Sequence, residues 1–207
     1  MTPIGRRGLC LVLASPSGGG KSAIARRLVA ADENLTLSIS TTTRAPRAGE
    51  QDGVDYLFRT QPEFDGMVAD GEFLEYAQVF ERSYGTPRAP VDAALIAGRD
   101  IVFDIDWQGH RSLQAAMPGD VVGVFIMPPS LPALESRLTQ RGDGADAVAR
   151  RMARARDEIS HWAEFSHVVL NDDFDTAIAQ VRAILHAARL ATARQSGLAD
   201  FVAQLGD

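Results

Sequence analysis

The chain is poor in the residue types that mark several function classes. Its 207 residues include one cysteine, Cys10. An intrachain disulfide is excluded, and so is a metal site built on cysteine thiolates. The four histidines, His110, His161, His167 and His186, lack the spacing of metal ligands and read as helix-surface or core-edge residues. The formal net charge of −6 is opposite in sign to that of a general nucleic-acid or membrane-surface binder, so neither partner is expected. No apolar stretch has the length of a membrane helix. Arg6 and Arg7 before the run Leu9-Cys10-Leu11-Val12-Leu13 mimic a signal-peptide start, but the run is too short and leads directly into a glycine loop. Repeats and low-complexity tracts are missing as well. A cytoplasmic single domain with a real core is expected, and the sequence leaves a homo-oligomer open.

What is present is an alternation of short apolar runs and helical patterns. Leu9 to Ala14 is apolar, Ser15 to Gly20 is small and glycine-rich, and Lys21 to Ala31 places Ile24, Leu28 and Val29 on one helical face. Further apolar runs fall at Ile101 to Phe103, Val121 to Ile126 and Val168 to Leu170, with helical patterns between them. Strands alternating with helices predict an α/β fold around a parallel sheet covered on both faces. Residues 38–90 differ: they are rich in Thr, Arg, Gly and Asp, with short stretches such as Tyr56-Leu57-Phe58 and Phe73-Leu74-Glu75-Tyr76, and read as an inserted mixed lobe. Residues 137–156 are dense in arginine, and Arg141-Gly142-Asp143-Gly144 reads as a flexible turn. A last helix is predicted over Asp175 to Arg194, with Ile178, Val181, Ile184, Leu185 and Leu190 as its apolar stripe. The expected layout is a core of 1–37, 91–136 and 157–207, a lobe of 38–90 and a lid of 137–156. Trp107 and Trp162 read as packing residues.

Ser15-Pro16-Ser17-Gly18-Gly19-Gly20-Lys21-Ser22 fits a Walker A-type phosphate loop, with Ser15 where the pattern has its first glycine. Successive backbone N–H groups must turn toward one point, which glycine permits, and the following helix aims its N-terminus there. Lys21 then reaches the β- and γ-phosphates, and Ser22 holds Mg2+. Asp104 and Asp106 follow an apolar strand, where α/β ligands bind. Asp104 reads as a support for Mg2+ or as strand-end solvation, and Asp106 also reads as a helix cap. Arg44 and Arg47, on a Pro-containing loop, suit a phosphomonoester dianion, or else form a solvated basic loop.

The segment from Ser40 to Glu50, Asp52-Gly53-Val54-Asp55-Tyr56, Phe73-Leu74-Glu75-Tyr76-Ala77, Tyr84-Gly85-Thr86, Asp104 to Gly109, Pro128-Pro129-Ser130 and Asn171-Asp172-Asp173 together resemble the guanylate kinases, in order and spacing, from about Leu9 to Arg194. The resemblance implies a P-loop NTPase core with an inserted GMP-binding lobe and a lid, and transfer of a phosphoryl group from ATP to GMP or dGMP with Mg2+. It implies that Arg44, Arg47, Tyr56 and Tyr84 hold the GMP phosphate, and that Ser40, Glu75, Thr86 and Asp106 surround the guanine. Arg137, Arg141 and Arg151 would close over ATP and the transferring group, and Asn171 would lie near the adenine. Of the arginines at 150, 151, 154 and 156, only Arg151 matches a family position. Two other readings are a sugar-phosphate kinase of the same fold, against which Glu75, Ser40 and Thr86 argue, and a catalytically inactive phosphopeptide-binding module. Lys21, Ser22 and the Arg44/Arg47 pair weigh against the second.

Overall fold

The structure is a computed structural model that describes residues 5–79, 81–142 and 144–205. Asp143 of the expected turn lies outside the described residues. The first strand, β1 (Cys10–Ala14), is buried at every position. Both of its faces are covered, as befits an interior strand of a parallel sheet. It pairs in parallel with β7 (Asp100–Asp104) on one side and β8 (Val121–Met127) on the other. With β2 (Leu35–Leu37) and β9 (His167–Leu170) at the edges, the five-stranded order is β2-β7-β1-β8-β9.

The two-residue period of a strand divides the core into two layers. Leu9, Leu11 and Leu13 pack with Ile24 and Leu28 of α1 (Lys21–Ala31) and with Val181 and Leu185 of α7 (Phe174–Arg189). Cys10, Val12 and Ala14 face Leu95 of α3 (Arg88–Ile96) and Leu113 of α4 (Trp107–Ala116). Each fully buried aliphatic side chain in these layers contributes about 1.5–3 kcal/mol. Burial also pushes the Cys10 thiol up to about 12, so this cysteine is packing, not chemistry.

A second, four-stranded sheet lies within the predicted insertion. Its order is β4 (Leu57–Phe58), β3 (Thr41–Thr42), β6 (Arg82–Pro87), β5 (Phe73–Val79). Helix α2 (Gln61–Ala69) precedes β5 and opens on a capping box between Thr60 and Glu63. In the arginine-dense segment, α5 (Leu131–Gln140) and α6 (Ala145–Ser160) form two separate helices, and a 3-10 turn, His161–Glu164, follows.

The C-terminal region departs from the periodicity. Helix α7 ends at Arg189, Leu190 is 77% exposed, and a 3-10 turn (Thr192–Arg194) and α8 (Leu198–Leu205) follow. Ion pairs tie this region to the core. Arg189 is fixed to Asp32 and to the fully buried Asp100. Arg194 turns under the sheet to donate to the carbonyls of Gly8 and Gly119. Arg6 completes the cluster with two bonds to Asp100 of 2.7 and 2.9 Å. His110 is a second correction: it is 3% exposed, in the core and stacked on Phe165.

Candidate active site

The phosphate loop leaves the C-terminal end of β1 and enters α1, the position where ligands meet parallel sheets. Gly18 and Gly20 have φ of 91° and 100°, which a side chain would oppose. A Cβ on Gly19 would lie 2.7 Å from Ser15 Oγ, so the close approach depends on glycine at 19. Ser15 itself is accommodated by turning its hydroxyl to the Pro16 carbonyl at 3.0 Å. The turn is closed by the Gly19 N–H on that same carbonyl at 2.8 Å. No side chain caps the start of α1, which leaves its first N–H groups for an anion.

A cavity of about 300 Å³ opens against this loop, lined among others by Lys21, Ser22, Arg137 and Arg141. Lys21 is the only lysine in the chain. Arg137 donates through Nη2 to the Asn171 carbonyl at 2.8 Å, while its Nη1 is buried without a hydrogen-bond partner. A buried guanidinium nitrogen of this kind suits a ligand oxygen. Asn171 is buried beneath the loop and donates to the Gly19 carbonyl at 2.8 Å.

Asp104 lies beside Leu13 in the β1–β7 register, so its carboxylate reaches the loop. Its Oδ1 is 3.2 Å from Lys21 Nζ, an ion pair without hydrogen-bond geometry, and is otherwise a buried acceptor with no partner. Such an oxygen and the Ser22 hydroxyl fit Mg2+, which takes few protein ligands and keeps waters and phosphate oxygens. Among the described residues no cluster of three or more His, Cys, Asp or Glu forms a metal cage.

The second sheet gathers two groups. Arg44 binds both Glu50 carboxylate oxygens, at 2.8 and 2.9 Å, and lies 5.2 Å from the Tyr56 ring centroid. Tyr84 meets Tyr56 edge-on, with ring centroids 6.3 Å apart. Arg47 is exposed; its backbone N–H donates to Glu50. Glu75 and Thr86 are cross-strand partners on β5 and β6, and the buried Thr86 hydroxyl donates to Glu75 Oε1 at 2.6 Å. Burial pushes the Glu75 carboxyl above its ordinary value, the Thr86 hydroxyl pulls it back, and the Asp106 charge adds to the rise. Asp106 caps α4 by accepting from the Gly109 N–H at 2.9 Å, so the capping role is realised. Ser40 stands in the join before β3, its carbonyl accepting from the Leu57 N–H.

Helix α6 brings Arg151 to Ser17, with Nη1 donating to Oγ at 2.7 Å. Arg150, Arg151, Arg154, Asp106, Ser17 and Glu158 line a second cavity of about 430 Å³. Sequence reasoning assigned no part to Glu50, Glu158, Arg150 or Arg154. The i, i+4, i+7, i+11 spacing of Ala147, Arg151, Arg154 and Glu158 was the available signal for the last two positions of this face.

The family profile described as guanylate kinase matches residues 7–188. The chain belongs to the guanylate kinase family. It is 62% identical to a guanylate kinase of Granulibacter bethesdensis over 202 residues, covering 98% of this chain and 95% of that one. It is 60% identical to the guanylate kinase of Gluconobacter oxydans, with 98% of each chain covered. The crystal structure of guanylate kinase from Anaplasma phagocytophilum superposes with a TM-score of 0.77 at 36% identity, covering 96% and 95% of the two chains. Family membership agrees with a parallel sheet that carries a phosphate loop at its C-terminal edge. Among the described residues no helix is long and apolar enough to cross a membrane.

Proposed function

We propose that this chain transfers the γ-phosphoryl group of ATP to GMP, and to dGMP, yielding ADP and GDP or dGDP. The observation that carries this reading is the pairing of two unlike sites. One is a phosphate loop with Lys21 beside Asp104; the other is the part-buried Glu75–Thr86 pair on a separate sheet. A phosphate loop alone fits many kinases, but an acceptor carboxylate beside a hydroxyl matches the donor-rich edge of guanine. A sugar phosphate has no such edge, and an inactive phosphopeptide module has no use for Lys21.

In this reading the loop, Lys21, Arg137 and Arg141 bind the ATP phosphates, and Arg44, Arg47, Tyr56 and Tyr84 bind the phosphate of GMP. Ser40, Glu75, Thr86 and Asp106 receive the base. Asn171 acts on the ATP side by supporting the loop. An ionised oxygen of the GMP phosphate forms the new bond to the γ-phosphorus while the bond to the β–γ bridging oxygen breaks and ADP departs. The attacking oxygen carries its charge near neutral pH, so no protein base is required. Lys21, Arg44, Arg137 and Arg151 stabilise the charge on the transferring group. Ser22 and Asp104 would hold Mg2+, which supplies further neutralisation of phosphate charge. Closure of the lobe (38–90) and lid (137–156) over the core excludes water as a competing acceptor. Product analysis with GMP, dGMP, AMP and ribose phosphates tests the reaction: GDP and dGDP are expected, and a preference for AMP or a sugar phosphate overturns it. Closure is checked by solution scattering, which should contract with a bisubstrate analogue.

A further inference from the structure

We infer that Glu158 is a positioning residue that sets the phosphate loop for ATP from the base of the lid. The inference rests on the loop being the ATP site. Ser17 lines both the loop cavity and the arginine-rich cavity, so it is the wall between them. Two residues of α6 hold that wall. Arg151 donates to the Ser17 hydroxyl at 2.7 Å, and the Ser17 N–H donates to Glu158 Oε2 at 3.1 Å. Arg151 and Glu158 are separated by about two helical turns and so share one face of α6.

The Glu158 bond acts on backbone. In a planar trans peptide the N–H and the C=O point to opposite sides. Holding the Ser17 N–H out toward α6 therefore turns the Pro16 carbonyl in, where it accepts from the Gly19 N–H at 2.8 Å and the Ser15 hydroxyl at 3.0 Å. Those bonds close the turn that aims the remaining loop amides at one point. Ser15 stands where the loop pattern has a glycine, so this turn relies on hydrogen bonds to fix its peptide planes.

Glu158 is also well placed to be a fixed post. It precedes the 3-10 turn by one helical turn, and that turn is anchored to α4. His161 stacks on Trp107 with ring centroids 3.5 Å apart, and Arg111 and His161 both bind Glu164. Glu158, about one helical turn from this anchor, keeps the loop in shape, and Arg151 adds the Ser17 hydroxyl contact from the same helix.

The test uses the full chain with Glu158→Ala and Glu158→Gln, in parallel with Lys21→Ala. Loss of the acceptor for the Ser17 N–H should raise KM for ATP by about tenfold or more in Glu158→Ala, with KM for GMP changed less than about twofold. Glu158→Gln retains a carbonyl oxygen for the Ser17 N–H and should recover to within about threefold of wild type. Urea midpoints confirm that each variant is folded. An unchanged ATP KM in Glu158→Ala overturns the inference, as does an equal rise for both substrates. Gln as damaging as Ala overturns it too, because the negative charge rather than the peptide bond would then matter. An active Lys21→Ala enzyme instead removes the ATP-site reading itself.

Discussion

Arg44 and Glu50 are joined by a forked ion pair, with both carboxylate oxygens on Arg44 Nη2 at 2.8 and 2.9 Å. The guanidinium proposed for the GMP phosphate is therefore already held by an internal anion. Its Nη1 is steadied by the Ala45 carbonyl, and Tyr56 lies against it. Near the surface such a pair is weak and screened by water. A phosphate dianion in a closed site is the stronger partner for the same donors. Arg44→Ala should raise KM for GMP about tenfold to a hundredfold and leave ATP nearly unchanged. Glu50→Gln should shift it by less than about fivefold. Equal losses for GMP and ATP in Arg44→Ala would move this arginine out of the acceptor site.

Lys21 is the single lysine in the chain, and it stands at the loop–helix junction beside Asp104. Lys21→Ala should stay folded and lose about 3–4 kcal/mol of transition-state stabilisation, by comparison with a lost oxyanion donor. Steady-state turnover, with circular dichroism as the folding control, reads this directly. Near-normal turnover in the folded variant would contradict the assignment.

Asp100 predicts a stability effect without a functional one. It is fully buried at the start of β7, remote from the strand ends that carry the loop, and it receives Arg6, Arg189 and the Leu9 N–H. Asp100→Asn leaves two guanidiniums facing a neutral group. Breaking such a buried pair should lower unfolding free energy by about 3–5 kcal/mol. Urea denaturation should show that loss, while kcat/KM at low temperature stays close to wild type. A change in unfolding free energy under about 1 kcal/mol would mean the cluster is not a staple.

The same cluster shows what could be read from sequence and what could not. β1, the loop and α1 were legible because the apolar run, the glycines and the helical period all follow from local chemistry. The second sheet was legible only as a zone of different composition. Its strands β3 and β4 have two residues each, too few for a period, and its order rests on pairing between distant segments. The tie of Arg189, at the end of α7, to Asp32 and Asp100 joins segments far apart in the chain, which periodicity cannot see. Glu75 and Thr86 were each named as acceptor-site candidates, but their direct bond needed the β5–β6 register. Glu158 was missed because its partner is a backbone N–H: helical spacing places it on the Arg151 face but cannot show what it meets.

Glu75 gives a pH prediction. Guanine offers two neighbouring donors, N1–H and the 2-amino group, and only an ionised carboxylate accepts both. Burial raises the Glu75 carboxyl above the ordinary 4.5 despite the opposing Thr86 hydroxyl. A raised carboxyl is protonated where an ordinary glutamate is ionised. kcat/KM for GMP should therefore fall on acidification through a value above 4.5. Thr86→Val removes the hydroxyl that stabilises the carboxylate, so it should move that acid limb to still higher pH. Glu75→Gln should abolish this limb and lower kcat/KM for GMP by about 2–4 kcal/mol, because its amide turns a donor toward guanine's donors. ATP affinity should barely change. Stability should move the other way. With its folded value raised, Glu75's stabilising contribution is complete below the unfolded value and is lost as pH rises through the folded one. At neutral pH Glu75→Gln should thus be at least as stable as wild type, in a urea titration, while being the poorer enzyme. Wild-type GMP kinetics in Glu75→Gln would exclude this carboxylate from the base site, whatever the stability shows.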